Sequence, residues 1–442
     1  MKVAIVGSGI SGLAAAHALA RDADVTLFEA GSWFGGHTHT VDVTLPTPHG
    51  PVTHGVDTGF LVFNERTYPQ LIELFAGLGV ATVKSEMSFS VQVPRAFRGG
   101  PLEWSGSSLD TVFAQRANLG RPRFLRMLRD LLRFNRLATL YAQSGEDPRM
   151  LQPLDDFLRE HRFSSEFRDW YLLPMIACIW SCPTDQMLRF PVATLVRFCH
   201  NHGLLQVTDR PQWWTVAGGA RNYVDKIVSR LHDKRLNTPV RRVVRTAAGV
   251  GVTSDSGTER FDHVVMATHP DQALAILTDI SPLEREVLGA IRYQRNRAVL
   301  HTDTSALPRN RKAWAAWNYE SAPGGAGEET RVCLHYWLNR LQPLPWEQPV
   351  LVSLNPVRPI ARHQIMGEYD YDHPVFDRAA VDAQAEIAQL QGQRRTWFCG
   401  AWTGYGFHED GLKSGQRVGR TLINHAQARR ESGAAAMLEA VA

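Results

Sequence analysis

The first residues suited to chemistry form a glycine-rich turn between an apolar segment and an alanine-rich segment. Gly7, Gly9 and Gly12 have the G-x-G-x-x-G spacing, and Ile10 and Ser11 begin a predicted helix. Gly7 permits a tight turn, Gly9 lets backbone N–H groups approach a diphosphate, and Gly12 lets the helix pack closely on a sheet. The helix N-terminus adds partial positive charge. The turn therefore predicts a dinucleotide site.

Glu29 ends the next predicted strand, residues 24–28, and lies about 20 residues beyond the glycine turn. In dinucleotide-binding folds a carboxylate at this place binds the ribose hydroxyls. The strand, the turn, the helix and the acid therefore follow one another at the spacing of a dinucleotide-binding fold. This pattern alone leaves open whether the nucleotide is NAD or FAD.

A second pair of glycines, Gly35 and Gly36, follows that acid closely. Bare backbone at this place can contact the phosphates and the ribityl chain of a cofactor, which favours FAD over NAD. We interpret residues 56–60 as a strand end that returns to the same site. His37 and His39 form an H-x-H pair, with two interpretations open: metal ligands on a strand, or a polar lining beside the cofactor. The cofactor-binding candidates of this region are Ala30, Gly35, Gly36, His37, Thr38, Asp57, Thr58 and Gly59.

A second chemistry-bearing stretch lies near the end of the chain, where a predicted strand ends at Gly400 and a helix begins near Asp410. His408 and Glu409 at that helix start are candidates for a general base, together with His37. Aromatic residues of the same stretch would form a wall over the reacting groups. The catalytic candidates are therefore Tyr405, Phe407, His408 and Glu409.

Composition narrows the function classes. A net charge of +4 over 442 residues gives no argument for nucleic-acid binding, and no stretch reaches the roughly 20 apolar residues of a membrane-spanning helix. The five cysteines are scattered and predict reduced thiols, and Cys178 and Cys182 lack the second ligand pair of a zinc site, so we predict no metal. The first strand begins at residue 2 without a secretory signal. We expect a cytoplasmic protein, in peripheral contact with the inner face of a membrane if its substrate is a lipid.

The segment 121–141 has the periodicity of an amphipathic helix. Its basic stripe consists of Arg126, Arg129, Arg133 and Arg136. Its apolar stripe consists of Phe124, Leu128, Leu131, Leu132 and Ala138. Two interpretations remain open: the helix lies on anionic lipid, or it presents a solvated face above an ordinary core.

The elements between these stretches predict an interrupted nucleotide domain. Helical periodicity covers residues 65–79 and 155–180, and alternation over 87–94 predicts a strand that enters a second domain. A W-x-x-x-G-G motif at 214–219 leads into another helix and back to the first domain. The predicted domains are an FAD-binding domain (1–85, 216–290 and 391–430), a substrate domain with a helical insertion (86–215 and 291–390) and a tail (431–442).

Three parts of the chain resemble the flavin-containing amine oxidase and phytoene desaturase superfamily: E-A-G-x-x-x-G-G-H at 29–37, V-D-T-G at 56–59 and residues 400–412, which we call the closing motif. The resemblance implies an α/β fold, in which an FAD-binding Rossmann-type domain is interleaved with an α+β substrate domain. It also implies non-covalent FAD, with a strand backbone laid against the adenine and the last helix pointing its N-terminus at the flavin. The cofactor-binding candidates it adds are Val240, Thr268, Gly400, Glu409, Asp410, Gly411 and Leu412.

A closer resemblance rests on I-W-S at 179–181, N-H-G-L-L at 201–205, W-N-Y at 317–319 and G-A-W-x-G-Y-G-F-H-E-D-G at 400–411. These motifs are similar to those of bacterial predicted NAD/FAD-binding oxidoreductases that resemble the flavin desaturase of furan-fatty-acid synthesis. This resemblance implies desaturation of a methylated, monounsaturated acyl chain in phospholipid, by hydride transfer to flavin N5. It also implies a lipid methyltransferase in the same pathway.

One position departs from the amine oxidases of the superfamily. Phe407 stands where they commonly have a tyrosine beside the amine, which weakens the expectation of an amine substrate. Two alternatives to the desaturase stay open: a flavin-containing amine oxidase, and an FAD-dependent isomerase without net oxidation.

Overall fold

A computed structural model describes residues 1–143, 152–181, 184–206, 210–321 and 332–441. Within these ranges, no helix combines the length and the apolar character needed to cross a membrane. Cys178, Cys199, Cys333 and Cys399 are buried free thiols, and Cys182 lies outside the described residues.

The strands of the described chain are, in order, β1 (Lys2–Val6), β2 (Asp24–Phe28), β3 (Thr40–Thr47), β4 (Gly50–Asp57), β5 (Phe63–Asn64), β6 (Thr82–Ser85), β7 (Phe89–Phe97), β8 (Gly100–Ser105), β9 (Trp213–Val216), β10 (Asp233–Arg235), β11 (Val240–Thr246), β12 (Gly249–Ser254), β13 (Gly257–Phe261), β14 (His263–Met266), β15 (Tyr293–His301), β16 (Trp317–Glu320), β17 (Cys333–Trp337), β18 (Leu351–Leu354), β19 (Ile365–Pro374) and β20 (Thr396–Phe398).

The α-helices are α1 (Ile10–Leu19), α2 (Pro69–Leu78), α3 (Leu109–Val112), α4 (Pro122–Gln143), α5 (Leu154–Glu160), α6 (Ser165–Phe167), α7 (Leu173–Trp180), α8 (Thr184–Met187), α9 (Val192–Asn201), α10 (Arg221–Val228), α11 (Pro270–Ile276), α12 (Pro282–Gly289), α13 (Leu338–Leu341), α14 (Arg378–Leu390) and α15 (His408–Val441).

A five-stranded parallel sheet in the order β10-β2-β1-β14-β20 forms the nucleotide-binding part. Its central strands are apolar on both faces, because separate hydrophobic clusters cover the two sides. The turns after β1, β2 and β14 leave the same edge of the sheet, where ligands of such folds bind. The predicted FAD-binding Rossmann-type fold is confirmed.

Helix α15 packs directly on α1 because glycines on α15 let the two backbones approach. A Cβ on Gly415 would lie 2.1 Å from the carbonyl oxygen of Ser11, and a Cβ on Gly419 would lie 2.7 Å from Cβ of Ala18. This contact holds the N-terminus of α15 beside the N-terminus of α1. Within the predicted tail, 431–442, the described residues belong to α15, which ends at Val441.

A seven-stranded sheet in the order β19-β15-β18-β17-β16-β7-β8 forms the second part and is antiparallel except between β16 and β7. Helices α3 to α9 lie between β8 and β9 in the chain and share its hydrophobic core. The segment with helical periodicity, 155–180, forms three helices and a π-helical turn at Arg168–Leu172. The break follows Arg162, whose φ of +50° does not continue a right-handed helix.

Candidate active site

One cavity of about 870 Å³ extends from the carboxyl edge of the parallel sheet to the seven-stranded sheet. The predicted cofactor-binding residues that line it are Gly7, Gly9, Ile10, Ser11, Glu29, Ala30, Gly35, Gly36, His37, Gly59, Val240, Thr268 and Gly400. Of the catalytic candidates, Phe407 and His408 line it and Tyr405 and Glu409 do not. The remaining cofactor-binding candidates also lie outside its lining: Gly12, Thr38, Asp57, Thr58, Asp410, Gly411 and Leu412.

The glycine turn after β1 presents bare backbone to this cavity. Gly7 has a φ of +100°, and a Cβ there would lie 2.6 Å from the carbonyl oxygen of Ala267. Gly9 is the N-cap of α1 and no side chain caps this helix, so its first N–H groups stay free for an anion. Gly12 acts behind the turn, because its Cβ would lie 1.9 Å from the carbonyl oxygen of Gly7.

Glu29 is fixed at the cavity wall before any ligand binds. The backbone N–H of Ser8 donates to its Oε2 over 2.9 Å, and the N–H of Gly31 donates to its Oε1 over 2.8 Å. The Ser8 hydroxyl also donates to Oε2, over 2.5 Å, so Oε1 is the carboxylate oxygen that keeps a lone pair for a further donor. The carboxylate is therefore oriented as a ribose-binding acid would be.

Asp57 and Thr58 were expected at the cofactor, but their side chains form hydrogen bonds away from the cavity. The carboxylate of Asp57 accepts from the backbone N–H of Ala220, at the start of α10, and from Nε2 of Gln342 over 2.7 Å. The Thr58 hydroxyl bonds to the hydroxyl of Tyr371 over 2.6 Å. Burial raises the pKa of Asp57 to about 6. Both side chains join the two parts of the protein and leave only Gly59 at the cavity.

The closing motif places its residues on different sides of the start of α15. The carboxylate of Asp410 accepts from the backbone N–H groups of Tyr405 and Phe407, over 3.1 and 3.0 Å. It thereby fixes the loop that directs Phe407 into the cavity. Gly411 lies against α1 and the Leu412 side chain lies in the core below it, so the predicted cofactor contact would have to come from the backbone of these residues.

Glu409 does not face the cavity and is not placed as a general base. Its carboxylate accepts from the backbone N–H groups of Gln70 and Leu71, each over 3.0 Å, and so caps the N-terminus of α2. Lys413 lies 3.2 Å from the same carboxylate. Tyr405 lines a smaller neighbouring cavity of about 280 Å³, which shares the Phe407 wall.

His408 is the polar catalytic candidate that reaches the main cavity. Its Nε2 lies 2.7 Å from the hydroxyl of Tyr223, which lies 2.6 Å from the hydroxyl of Thr38. Its ring stacks on Phe60 with the centroids 3.8 Å apart. Burial lowers the pKa of His408 to about 3, so the imidazole is neutral at physiological pH. The hydroxyl of Thr38, which we expected at the cofactor, is therefore linked to the cavity through hydrogen bonds with Tyr223 and His408.

A group of three histidines at the cavity was only partly visible in the sequence. His37 and His373 have ring centroids 5.3 Å apart, and His269 stacks on Tyr293 at 3.9 Å. Burial lowers the pKa of His37 to about 4 and those of His269 and His373 to about 3. His269 could have been found because it follows β14 at the carboxyl edge of the sheet. His373 had no comparable signal.

The H-x-H pair does not form a metal site in the described part of the chain. His37 lines the cavity, and its Nε2 is buried and has no hydrogen-bond partner among the described residues. His39 turns the other way, stacks on Trp33 at 3.9 Å and contacts Tyr371 through Nδ1. The polar-lining interpretation therefore describes His37.

The far wall of the cavity is apolar and aromatic. Helices α7 and α9 and strands β16 and β17 contribute Met175, Cys178, Ile179, Trp180, Ser181, Phe198, Trp317 and Tyr336. Within the described residues, these elements bring no carboxylate to the cavity. Asp370 and Asp372 of β19 do line it. Asp370 pairs with Arg295, while the pKa of Asp372 is raised by burial and by its neighbour Asp271 on α11.

The residues present fit a bound FAD. The uncapped helix α1 suits a diphosphate, the fixed Glu29 suits a ribose, and the free Nε2 of His37 offers a polar contact. The family model described as flavin containing amine oxidoreductase matches residues 10–301. The chain belongs to this family. FAD is the cofactor expected for a member of this family of flavin-containing oxidoreductases.

Comparisons with individual proteins agree with this assignment. The protein is 28% identical over 287 residues to a putative flavin-containing monoamine oxidase, AofH, of Mycobacterium tuberculosis. The match covers 63% of this chain and 59% of the relative, somewhat more than half of its length. Two solved structures share the fold. A CLA-producing fatty acid isomerase from P. acnes has a TM-score of 0.64 at 16% identity, covering 94% of this chain and 97% of the other. Cyclohexylamine oxidase from Brevibacterium oxydans IH-35A has a TM-score of 0.67 at 18% identity, covering 96% and 99%.

Proposed function

We propose that this flavin oxidoreductase desaturates a lipid acyl chain, specifically a methylated, monounsaturated fatty acyl group carried in phospholipid. The observation that carries the proposal is the apolar wall of α7, α9, β16 and β17, which offers contacts to hydrocarbon and no carboxylate to an ammonium group. Phe407 belongs to the same wall and adds a ring without a hydroxyl.

In the proposed reaction the chain loses two hydrogens and gains a double bond. FAD, when bound, would supply the acceptor for a hydride from an allylic carbon. The proton from the neighbouring carbon would pass to His408, which lines the cavity and which the Tyr223 hydroxyl holds in place, although burial lowers the pKa of this imidazole to about 3 and so disfavours its charged form. The wall excludes water and positions the chain.

Anaerobic mixing of the holoenzyme with phosphatidylglycerol vesicles tests the proposal. Vesicles whose acyl chains carry a methyl group on the double bond should bleach the oxidised flavin in a single turnover and yield a diene. Unmethylated chains serve as the control. His408→Gln should slow this bleaching by about 10²-fold or more.

Two alternatives have their own outcomes in the same assay. Bleaching by cyclohexylamine or by diamines, with peroxide formed in air, would replace the proposal with amine oxidation, which the name of the mycobacterial relative favours. An isomerised acyl chain, formed with no electron acceptor consumed, would replace it with redox-neutral isomerisation. A lipid methyltransferase is the enzyme class that must supply the methylated substrate.

The exposed face of α4 supports a membrane as the source of this substrate. Leu125, Leu132 and Leu140 are 42%, 59% and 59% exposed and alternate with Arg129 and Arg136 at helical spacing. Leu132 was expected in the apolar core stripe but lies outside it. Leucines that enter the acyl region, beside arginines that meet anionic headgroups, are typical of helices lying in a bilayer surface.

Vesicle sedimentation tests this peripheral contact. The protein should bind vesicles rich in phosphatidylglycerol and not vesicles of phosphatidylcholine alone, and high salt should weaken binding. The pair Leu125→Ser and Leu132→Ser should reduce binding. Leu109→Ser, at a site 79% exposed on a different helix, should not. Equal binding by both variants would exclude α4 as the contact.

A further inference from the structure

The face of the seven-stranded sheet that turns away from the cavity is buried and polar. Strands alternate their side chains, so Trp317 and Tyr336 face the cavity while their neighbours point to the other side. The residues on that far side include Asn318, Glu320, His335, Ser353 and His301, each at most 4% exposed. None of them takes part in the proposed function.

Three side chains on this face direct their ligand-type atoms toward one point. Nε2 of His335 lies 3.4 Å from Sγ of Cys333 and 3.3 Å from Oε2 of Glu320. Among the described residues, the potential ligand atoms of Glu320, Cys333 and His335 all lie within 4.8 Å of one another. The three come from the paired strands β16 and β17.

These separations match a tetrahedral zinc ion. With usual Zn–ligand distances of about 2.0 to 2.3 Å, tetrahedral angles place nitrogen and sulfur about 3.6 Å apart and nitrogen and oxygen about 3.4 Å apart. The observed pairs differ from these values by about 0.2 Å. We propose that Glu320, Cys333 and His335 form a binding site for Zn²⁺ with the fourth coordination position left to water.

Surrounding residues orient the imidazole as a ligand requires. Nδ1 of His335 lies 2.6 Å from Oγ of Ser353, which lies 2.6 Å from Nε2 of His301. The backbone N–H of Asp303 donates to Nδ1 of His301, so Nε2 of His301 carries a hydrogen and donates to Ser353. Ser353 keeps a second lone pair for an N–H at Nδ1 of His335, and that tautomer leaves Nε2 free for a metal.

Charge balance also suits a divalent cation. A thiolate and a carboxylate neutralise Zn²⁺, and binding displaces the proton of the Cys333 thiol and any proton on Nε2 of His335. Arg358, half exposed, pairs with both oxygens of Glu320, with Nε 3.0 Å from Oε1 and Nη2 3.1 Å from Oε2, so the ion must displace this guanidinium from Oε2.

Cobalt binding to the holoenzyme, after treatment with a chelator, tests the site. One equivalent of Co²⁺ should produce a thiolate-to-cobalt absorption band, which added Zn²⁺ then removes. Cys333→Ser should abolish the band and weaken zinc binding by at least about 100-fold, and Ser353→Ala should weaken it by about 10- to 100-fold. Cys199→Ser, which alters another fully buried thiol, should leave both unchanged.

Thermal unfolding supplies a readout independent of absorption. Zn²⁺ should raise the unfolding midpoint of the wild type and of Cys199→Ser, and should not raise that of Cys333→Ser. Cobalt bound without a thiolate band, or bound equally by Cys333→Ser, would assign the metal to other residues and overturn the proposal. Absence of binding would show that the three side chains form only an ion-pair network. Neither result would bear on the flavin reaction.

Discussion

At the scale of single residues, consecutive side chains of the closing motif serve different partners. His408 and Glu409 are adjacent, but one residue of a helix rotates the side chain by about 100°. His408 therefore faces the cavity, and Glu409 faces the first N–H groups of α2. The two residues that the motif presents together as candidate bases have separate tasks.

Replacement of Glu409 by Gln should cost stability and spare the chemistry. An amide has one acceptor oxygen for the two N–H groups of α2 and loses the charge pair with Lys413. We expect a loss of about 1 to 2 kcal/mol in the free energy of unfolding, measured by urea denaturation. The pH profile of flavin reduction should keep its shape. Glu286→Gln, at an exposed site on α12, is the control.

The opposite result would restore the sequence-based hypothesis. If Glu409→Gln keeps the wild-type stability but loses one limb of the pH–rate profile, then Glu409 acts as an acid or a base.

The residues of the site were predictable where backbone geometry dictates them. Gly7 and Gly9 lie at the cavity because a strand, a tight turn and a helix N-terminus leave little choice of conformation. Asp57 was expected there, but its side chain bonds the N–H of Ala220, because a carboxylate at a strand end serves equally well as a cap for another helix. His373 was missed because its place depends on the pairing of β19 with β15, which no local pattern reveals.

At the scale of elements, the packing contact between α1 and α15, which we call the seam, sets the distance between the glycine turn and the closing motif. Gly411 and Gly415 lie at positions where an added Cβ atom would clash with Ile10 and Ser11. The apolar periodicity of α1 was visible in the sequence. Its partner was not, because α15 lies about 400 residues away and its glycines carry no hydrophobic signal.

Gly415→Ala should separate these helices and release FAD. The added Cβ would lie 2.1 Å from the Ser11 carbonyl oxygen, so one helix must shift, at a cost of about 1 to 3 kcal/mol. We expect a lower flavin-to-protein absorbance ratio after gel filtration and a lower unfolding midpoint. Gly77→Ala is the matched control, because nothing lies within 4 Å of its Cβ and alanine favours the helix. Equal flavin retention in both variants would show that the seam does not position the site.

At the scale of the whole molecule, many histidines are buried in the neutral form. Burial lowers the pKa of eight of them to about 3 or 4: His37, His39, His202, His263, His269, His301, His373 and His408. In the unfolded chain they titrate near 6.5. The unfolded state therefore binds more protons than the folded state between about pH 6.5 and 4. Asp57 and Asp410, whose pKa values burial raises to about 6, work in the opposite direction but are fewer.

The protein should therefore lose stability steeply as pH falls from 6.5 toward 4. Each histidine with a lowered pKa stabilises the folded state above pH 6.5, and this contribution disappears as the pH falls through its folded pKa. Protonation of these histidines in the unfolded chain should together lower the free energy of unfolding by several kcal/mol. The urea concentration at the unfolding midpoint should therefore fall from pH 7.5 to 6.5 and again to 5.5. His263→Gln should reduce the slope by up to about one proton, because the glutamine does not titrate. His49→Gln, at an exposed site, should leave the slope unchanged. A flat profile would mean that these imidazoles meet water or gain protons in the folded state.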